Sequence, residues 1–247
     1  MTPSTYRAPF TSARGRARIV KILLVAGAFA TGISLLAEAV SLVFPPITED
    51  QELGENPAGA VIVLIIFLLA VLDLIIYLAT VIVFLMWLYR AHNNLRAINP
   101  SSRLEYSPGW AVGSFFIPFA NLVIPYRAVK EVWQKSGPPD EALLAEPSPP
   151  AWFPVWWVFW LLSSFAGNIS MRASFSENVP QSTSTIISLV ASALSIVAAV
   201  FAYMVVDAID KRQEETSGKL DLGRFSGPPP PPENLPMPDA LGPTPYT

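Results

Sequence analysis

The chain has 247 residues, of which 52% are hydrophobic and only 14% are charged, and its formal net charge is −3. Soluble domains carry about 25% charged residues, so this composition favours a membrane protein. The sequence has no cysteine and one histidine, His92, which excludes disulfides, thiolate chemistry and multi-histidine metal sites within one chain. The small net charge gives no reason to expect a nucleic-acid partner.

Long apolar stretches dominate the chain after a basic N-terminal tail, 1–18, that we expect to be disordered. A helix needs about 20 apolar residues to cross the hydrocarbon core. Four stretches meet this requirement, and we predict spans at 19–44, 60–89, 151–171 and 183–206. The second stretch exceeds one bilayer, so Trp87 and Tyr89 are expected in the interfacial aromatic belt. The predicted fold is therefore an all-α, polytopic membrane helical bundle over 19–210.

A fifth apolar segment, 110–126 within the stretch 110–133, decides the topology. Pro118 and Pro125 interrupt it, and a proline inside a helix removes a hydrogen bond and kinks the axis. If the segment does not cross, fifteen of the sixteen basic residues lie on the cytoplasmic side; if it crosses, the split is nine to seven. Because cytoplasmic loops collect Lys and Arg, we predict four spans plus a re-entrant or interfacial element. Five spans are the alternative. With four spans, both termini lie in the cytoplasm. The plasma (inner) membrane is the expected location.

The C-terminal region, 211–247, is rich in proline and is predicted to be disordered. Its run Pro228–Pro232 should adopt a polyproline II helix. Two interpretations of this tail remain open. It either docks a cytoplasmic partner through an aromatic-lined groove, or it is a solubilising tail.

The most distinctive stretch runs from Tyr89 to Trp133. It combines a polar helix end, a Ser-Pro-Gly-Trp turn, an Ile-Pro-Phe-Ala-Asn core and a second proline. The residues that carry the pattern are Arg90, Asn94, Arg96, Pro108, Gly109, Trp110, Pro118, Asn121, Pro125 and Trp133. This pattern resembles the bacterial membrane-protein family catalogued as domain of unknown function 4328. The family has no assigned activity, so the resemblance implies a membrane helical protein and no particular chemistry.

The polar helix end is expected to leave the membrane on the cytoplasmic side, and Trp110 to anchor the next segment at the interface. That segment then dips inward, breaks near Pro118 and leads to an amphipathic surface helix ending at Trp133. Backbone freed at membrane depth must be covered by protein or line a cavity. Asn121 either supplies hydrogen bonds to this backbone or caps the following half-helix.

Several charged residues lie within or beside the predicted spans. A carboxylate such as Asp73 near the bilayer centre costs about 2.5–3.5 kcal/mol on insertion scales, so it should face the bundle. It is either a proton or cation relay, or a protonated group hydrogen-bonded between helices, with Tyr77 one turn along as a partner. Glu38 is expected to reach the external surface, and Asp207 and Asp210 to be solvated at the cytoplasmic mouth.

Two further features have ordinary structural interpretations. His92 has no serine, cysteine or carboxylate at motif spacing, so we expect a solvated interfacial histidine and not a catalytic base. Trp152, Trp156 and Trp160 recur every four residues, which predicts a lipid-facing or interfacial aromatic stripe.

The sequence contains no nucleophile, metal or phosphate motif, so neither an enzyme activity nor a cofactor is expected. We predict a non-enzymatic scaffold or accessory protein that is embedded in the lipid bilayer and recruits a cytoplasmic protein partner through its tail. The alternative is a small transporter or channel-like homo-oligomer that uses Asp73 and the broken segment Pro118–Asn121.

Overall fold

The computed structural model describes residues 9–43, 57–139, 147–176 and 178–222, and the regular secondary structure in these ranges is all helical. Its four long helices are α1 (Arg14–Val43), α2 (Pro57–Asn93), α6 (Phe153–Ser174) and α7 (Gln181–Lys219). Between α2 and α6 the described residues include the short helices α3 (Leu95–Ile98), α4 (Pro108–Gly113) and α5 (Ile124–Lys135). Two 3-10 turns, Ser114–Phe116 and Ala120–Leu122, lie between α4 and α5.

Three of the long helices, α1, α2 and α7, are long and apolar enough to cross a membrane. The prediction of an all-helical protein with membrane-spanning helices is confirmed at this level. The helix α6 stands where the third span, 151–171, was predicted but is not among these three. Polar residues in its second half, Ser163, Ser164 and Asn168, interrupt its apolar sequence. The count of four spans therefore stays a prediction.

The long helices pack side by side in the order α2, α1, α7, α6. An aromatic cluster links the two outer members of this row. Phe115 lies between them, with its ring centroid 6.0 Å from Phe84 of α2 and 6.1 Å and 6.3 Å from Trp157 and Trp160 of α6. All three contacts are edge-to-face, an arrangement that aromatic rings favour. The segment that carries Phe115 thereby closes the bundle at one end.

The segment 110–126 is broken near Pro118, as predicted. Phe119 follows the proline with φ 63°, a backbone region that L-residues rarely adopt. The longest helix in this part of the chain is α5, whose 12 residues extend about 18 Å, well short of the about 30 Å hydrocarbon core. The indole nitrogen of Trp157 donates to the Leu122 carbonyl at 2.9 Å. A side chain from α6 thus satisfies a carbonyl that the break leaves outside any helix.

The helical region extends beyond both predicted boundaries. The helix α1 begins at Arg14, inside the predicted tail 1–18, because Ala13, Ala17 and Val20 share one face that packs into the core. Likewise α7 continues past residue 210 to Lys219, with Gln213 and Thr216 buried. Residues 1–8 and 223–247, including the run Pro228–Pro232, lie outside the described residues.

Replacement of Phe115 by alanine should destabilise the protein by about 2–3 kcal/mol, because it removes a ring that bridges α2 and α6 beside the direct Phe84–Trp156 contact. The free energy of unfolding of the full chain in detergent micelles measures this loss. The neighbouring Phe116 is 70% exposed, so Phe116→Ala is the matched control and should cost far less. Equal losses for the two variants would show that Phe115 does not join the helices.

Candidate functional site

The distinctive polar stretch folds into a compact layer at the end of the bundle where α1 begins and α7 ends. This layer, named the polar cap, is built from side chains of α2, α3 and its C-terminal flank, α5 and α7, together with the backbone of the N-terminal segment. Its buried polar side chains are His92, Asn94, Asn99, Glu131, Ser136 and Gln213. Buried polar groups must find partners within the protein, so their hydrogen bonds decide what the layer can do.

Asn94 joins the N-terminal segment to α7. Its side-chain nitrogen donates to the Thr11 carbonyl at 2.9 Å and to Gln213 Oε1 at 3.2 Å, and its Oδ1 accepts from the Thr11 N–H at 3.2 Å. Gln213 in turn donates to the Ala91 carbonyl at 2.8 Å and to Ser136 Oγ at 3.0 Å. Two amide side chains thereby connect four segments of the chain.

His92 is fully buried and paired with Glu131 of α5, so the prediction of a solvated histidine is wrong. Its Nε2 lies 3.3 Å from Glu131 Oε2. The same carboxylate accepts the backbone N–H of Glu105 and, at 3.2 Å, that of Tyr106. Because the carboxylate acts as the acceptor, the imidazole Nε2 is the donor. This pair orients a loop, and the Nδ1 atom of His92 is buried without a hydrogen-bond partner among the described residues.

The loop after α3 is shaped by further hydrogen bonds. Asn99 donates to the Lys135 and Gly137 carbonyls at 2.8 Å and 3.2 Å, at the C-terminal end of α5. The Tyr106 hydroxyl donates to Glu105 Oε1 at 2.8 Å; partial burial raises the pKa of this phenol, and the Glu105 carboxylate adds to the effect. A cavity of about 550 Å³ opens beside this loop, and Arg96 is among the residues that line it.

The turn into α4 forms as its sequence predicts. Ser107 Oγ accepts the Trp110 N–H at 3.1 Å, and Pro108 occupies the first helical turn, where its missing N–H costs nothing. Gly109 and Trp110 are exposed. At the other end of the stretch, the Arg212 guanidinium lies 4.5 Å from the centre of the Trp133 ring, a cation–π contact between α7 and α5. Arg90 is half-buried on α2, beside the cap.

The tryptophans do not form the predicted interfacial belt and lipid-facing stripe. Trp87 is completely buried, and Trp156 is only 3% exposed. Both rings pack on Phe84, at centroid distances of 5.4 Å and 6.1 Å. These predictions were wrong because the space between α2 and α6 is filled with large rings, which contribute more contact area there than at the bilayer surface.

Two carboxylates on the long apolar helices accept hydrogen bonds from serines. Asp73 Oδ2 accepts from Ser34 Oγ at 2.7 Å, and Glu38 Oε1 accepts from Ser188 Oγ at 3.0 Å. Ser34 and Glu38 are one turn apart on α1, so this helix is linked to α2 on one side and α7 on the other. Tyr77, the predicted partner of Asp73, is 55% exposed. Glu38 lies within two turns of the end of α1 at Val43, and its reach to the external surface stays a prediction.

Asp73 and Asn121 are not brought together. About 16 Å of helix separates Asp73 from Phe84, the residue of α2 that contacts the broken segment. The helix α5 has no side-chain cap, so Asn121 does not cap it, and its buried Oδ1 accepts no hydrogen bond from the described residues. The backbone of the break is instead bonded by Trp157.

Asp207 and Asp210 are not solvated as predicted, because Lys21 of α1 lies opposite them. Lys21 Nζ is 2.8 Å from Asp207 Oδ1, and Lys211 Nζ is 2.8 Å from the other oxygen of the same carboxylate. Asp210, 4.0 Å from Lys21, is only 6% exposed. Among the residues that the structure describes, no group of three His, Cys, Asp or Glu side chains could hold a metal ion.

Comparison with models of protein families gives a match. The model of the family described as Domain of unknown function (DUF4328) matches residues 58–211, which extend from the start of α2 well into α7. The chain belongs to this family. The resemblance inferred from the stretch Tyr89–Trp133 is thereby confirmed. The chain matches no curated protein and no solved structure. The DUF4328 match begins after α1 and ends before Gln213. Gln213 is nevertheless part of the cap, and α1 contributes to the ion pairs around it.

Replacement of Asn94 by alanine should lower the free energy of unfolding by about 2 kcal/mol, because it removes two part-buried hydrogen bonds to the Thr11 backbone and leaves the buried Gln213 Oε1 without its donor. Chemical unfolding of the full chain in detergent measures the change. Asn178→Ala, at an exposed position between α6 and α7, is the matched control and should be neutral. In the double variant Asn94→Ala with Gln213→Ala, the loss of unfolding free energy should be smaller than the sum of the losses in the two single variants. The reason is that the two side chains share a hydrogen bond. Strict additivity would contradict their coupling.

Proposed function

We propose that this chain is a non-enzymatic scaffold or accessory protein of the bacterial plasma membrane. The observation that supports this function is that the polar cap directs its buried side chains toward one another. His92 is held by Glu131, Asn94 by Thr11 and Gln213, and Asn99 by the end of α5. A catalytic site needs a nucleophile or base that a substrate can reach, whereas these groups are buried and already bonded. A rigid layer of this kind suits a platform better than a reaction centre.

The positions of the chain ends support four membrane crossings. Phe10, Ile98 and Leu222 pack in one small cluster, so the N-terminal segment and the end of α7 lie at the same end of the bundle. If α1, α2 and α7 cross, the chain leaves this end in α1 and returns to it in both α2 and α7. One further outward crossing is then needed between Asn93 and Gln181. The 22 residues of α6, about 33 Å long, are sufficient for it.

The charges near this end favour a cytoplasmic orientation of the cap. Arg14, Arg16, Arg18 and Lys21 all lie in the first two and a half turns of α1, as the positive-inside rule expects beside the cytoplasmic leaflet. The helix α7 ends at Lys219, and Leu222 packs in the cap cluster. The proline run begins six residues later, at Pro228, so in this topology the tail would emerge beside the cap and be available to a cytoplasmic partner.

A small transporter is the second candidate, and the serine-bound carboxylates are the observation that favours it. Asp73 and Glu38 place two acidic groups between α2, α1 and α7, in the half of the bundle remote from the cap. Intramembrane carboxylates often mark ion or proton pathways. Most of the apolar surface of α2 between Val61 and Leu78 is exposed, which leaves room for a second copy of the chain in a channel-like oligomer.

Cysteine labelling tests the topology, since the chain has no native cysteine. Ser101→Cys lies in the exposed loop after α3, and Asn178→Cys lies in the connection between α6 and α7. In intact cells a membrane-impermeant maleimide should label Asn178→Cys alone, and Ser101→Cys should react only after permeabilisation. The reverse pattern would invert the orientation. Labelling of both sites in intact cells would mean that α6 does not cross.

Partner capture separates the scaffold from the transporter. The full chain, a chain truncated after Gly227, and Asp73→Asn should be crosslinked in cells and their co-purifying proteins quantified. The scaffold predicts that truncation removes the captured partner and that Asp73→Asn retains it. A chain of unchanged length with alanine at 228–232 is the control. If the partner binds the polyproline II helix, this variant should lose the captured partner as the truncated chain does. Capture that survives truncation, with assembly or ion flux lost in Asp73→Asn, would favour the transporter.

A further inference from the structure

An apolar groove runs along the outside of the bundle between α1, α2 and α7. It has a volume of about 840 Å³. Phe29 and Ile33 of α1 and Leu72 and Ile76 of α2 form part of its walls, and the small side chains of Ala26 and Ala30 leave space between them. This lining is hydrocarbon over most of its length, so it offers nothing to a polar ligand there.

The end of the groove nearest the polar cap carries positive charge. Arg18 and Lys21 line it, together with Tyr203 of α7. Lys21 is bound to Asp207 at 2.8 Å, and Lys211 neutralises the same carboxylate from its other oxygen. Arg18, in contrast, is exposed, and its guanidinium forms no hydrogen bond or ion pair with any residue that the structure describes. One guanidinium therefore remains available at the mouth of a hydrocarbon groove.

The length of the groove matches one leaflet of a bilayer. From Arg18 to Ile33 the helix extends about 22 Å, which is the depth of half a hydrocarbon core plus its headgroup region. The charged end and the apolar walls are thus spaced as the phosphate and acyl chain of a phospholipid are spaced. A second copy of this chain fits less well, because its helix would bury the Arg18 charge without a partner.

We propose that this groove binds one anionic phospholipid, with an acyl chain along Val25, Phe29 and Ile33 and the phosphate on the Arg18 guanidinium. Guanidinium–phosphate hydrogen bonds are charge-assisted, and basic residues at the membrane surface favour anionic headgroups. The assignment of this lipid to the cytoplasmic leaflet rests on the proposed topology. The anionic headgroup is inferred from Arg18 and does not depend on that topology. A site of this kind would also hold α1 against α2 and α7.

Native mass spectrometry of the full chain, released from nanodiscs of equimolar phosphatidylglycerol and phosphatidylcholine, tests the proposal. The wild-type chain should retain phosphatidylglycerol in preference to phosphatidylcholine. Arg18→Gln should reduce this preference about fivefold. Arg172→Gln is the matched control, because this exposed arginine lies at the opposite end of α6 from the cap, and it should leave the preference unchanged.

A second variant tests the hydrocarbon part of the site. Ala26→Phe should fill the groove and abolish retention of both lipids, whereas Ala70→Phe, on an exposed face of α2 outside the groove, should not. Thermal melting by circular dichroism establishes that each variant is folded. Equal retention of the two lipids by the wild type, or an unchanged preference in Arg18→Gln, would overturn the proposal. A dimer that Ala26→Phe dissociates, with no retained lipid, would also overturn it and assign the groove to a second copy.

Discussion

The positions of the helix ends at the polar cap depend on the buried hydrogen bonds of Gln213. Helices in a bilayer gain little from the hydrophobic effect when they associate, because lipid tails are as apolar as their own side chains. Their relative positions must then come from packing and from polar contacts. Gln213 is only 2% exposed and bonds to Asn94, to the Ala91 carbonyl and to Ser136. One side chain of α7 thereby positions the end of α2 and the end of α5, and through Asn94 it also positions the N-terminal segment.

The aromatic cluster beneath this layer connects the two outer helices of the row. The row of helices α2, α1, α7, α6 would leave its two outer members apart, and the proline-broken segment enters between them. Phe115 contacts both sides, and Trp157 adds a hydrogen bond to the Leu122 carbonyl. A continuous helix could not place both the Phe115 ring and a free Leu122 carbonyl between the outer helices, because its carbonyls would be bonded within the helix. The break at Pro118 is therefore consistent with the packing that surrounds it, and the tryptophans of α6 are buried for the same reason.

The helix α1 is part of the same folding unit although it lies outside the residues that match the family. Ser34 donates to Asp73, Glu38 accepts from Ser188, and Lys21 binds Asp207. Without α1, the family-matched region 58–211 would lose the Ser34 hydrogen bond to Asp73 and the Lys21 ion pair to Asp207, and Asp207 would keep only Lys211. A polar group in apolar surroundings is costly without a partner, so α1 contributes to the stability of the matched region.

Local properties of the sequence were enough to predict the long helices, the break near Pro118, the turn at Ser107–Trp110 and the family. Each depends on residues close together in the chain, such as an apolar run or a proline, whose effect on transfer free energy or backbone geometry is the same in any fold. The tertiary structure alone decided which polar groups meet. His92 pairs with a glutamate 39 residues away, and Lys21 with an aspartate 186 residues away. The burial of Trp156 likewise depends on Phe84 of α2, a residue distant in the chain. A sequence shows how costly it is to bury a polar group, but only the fold determines the partner that offsets this cost.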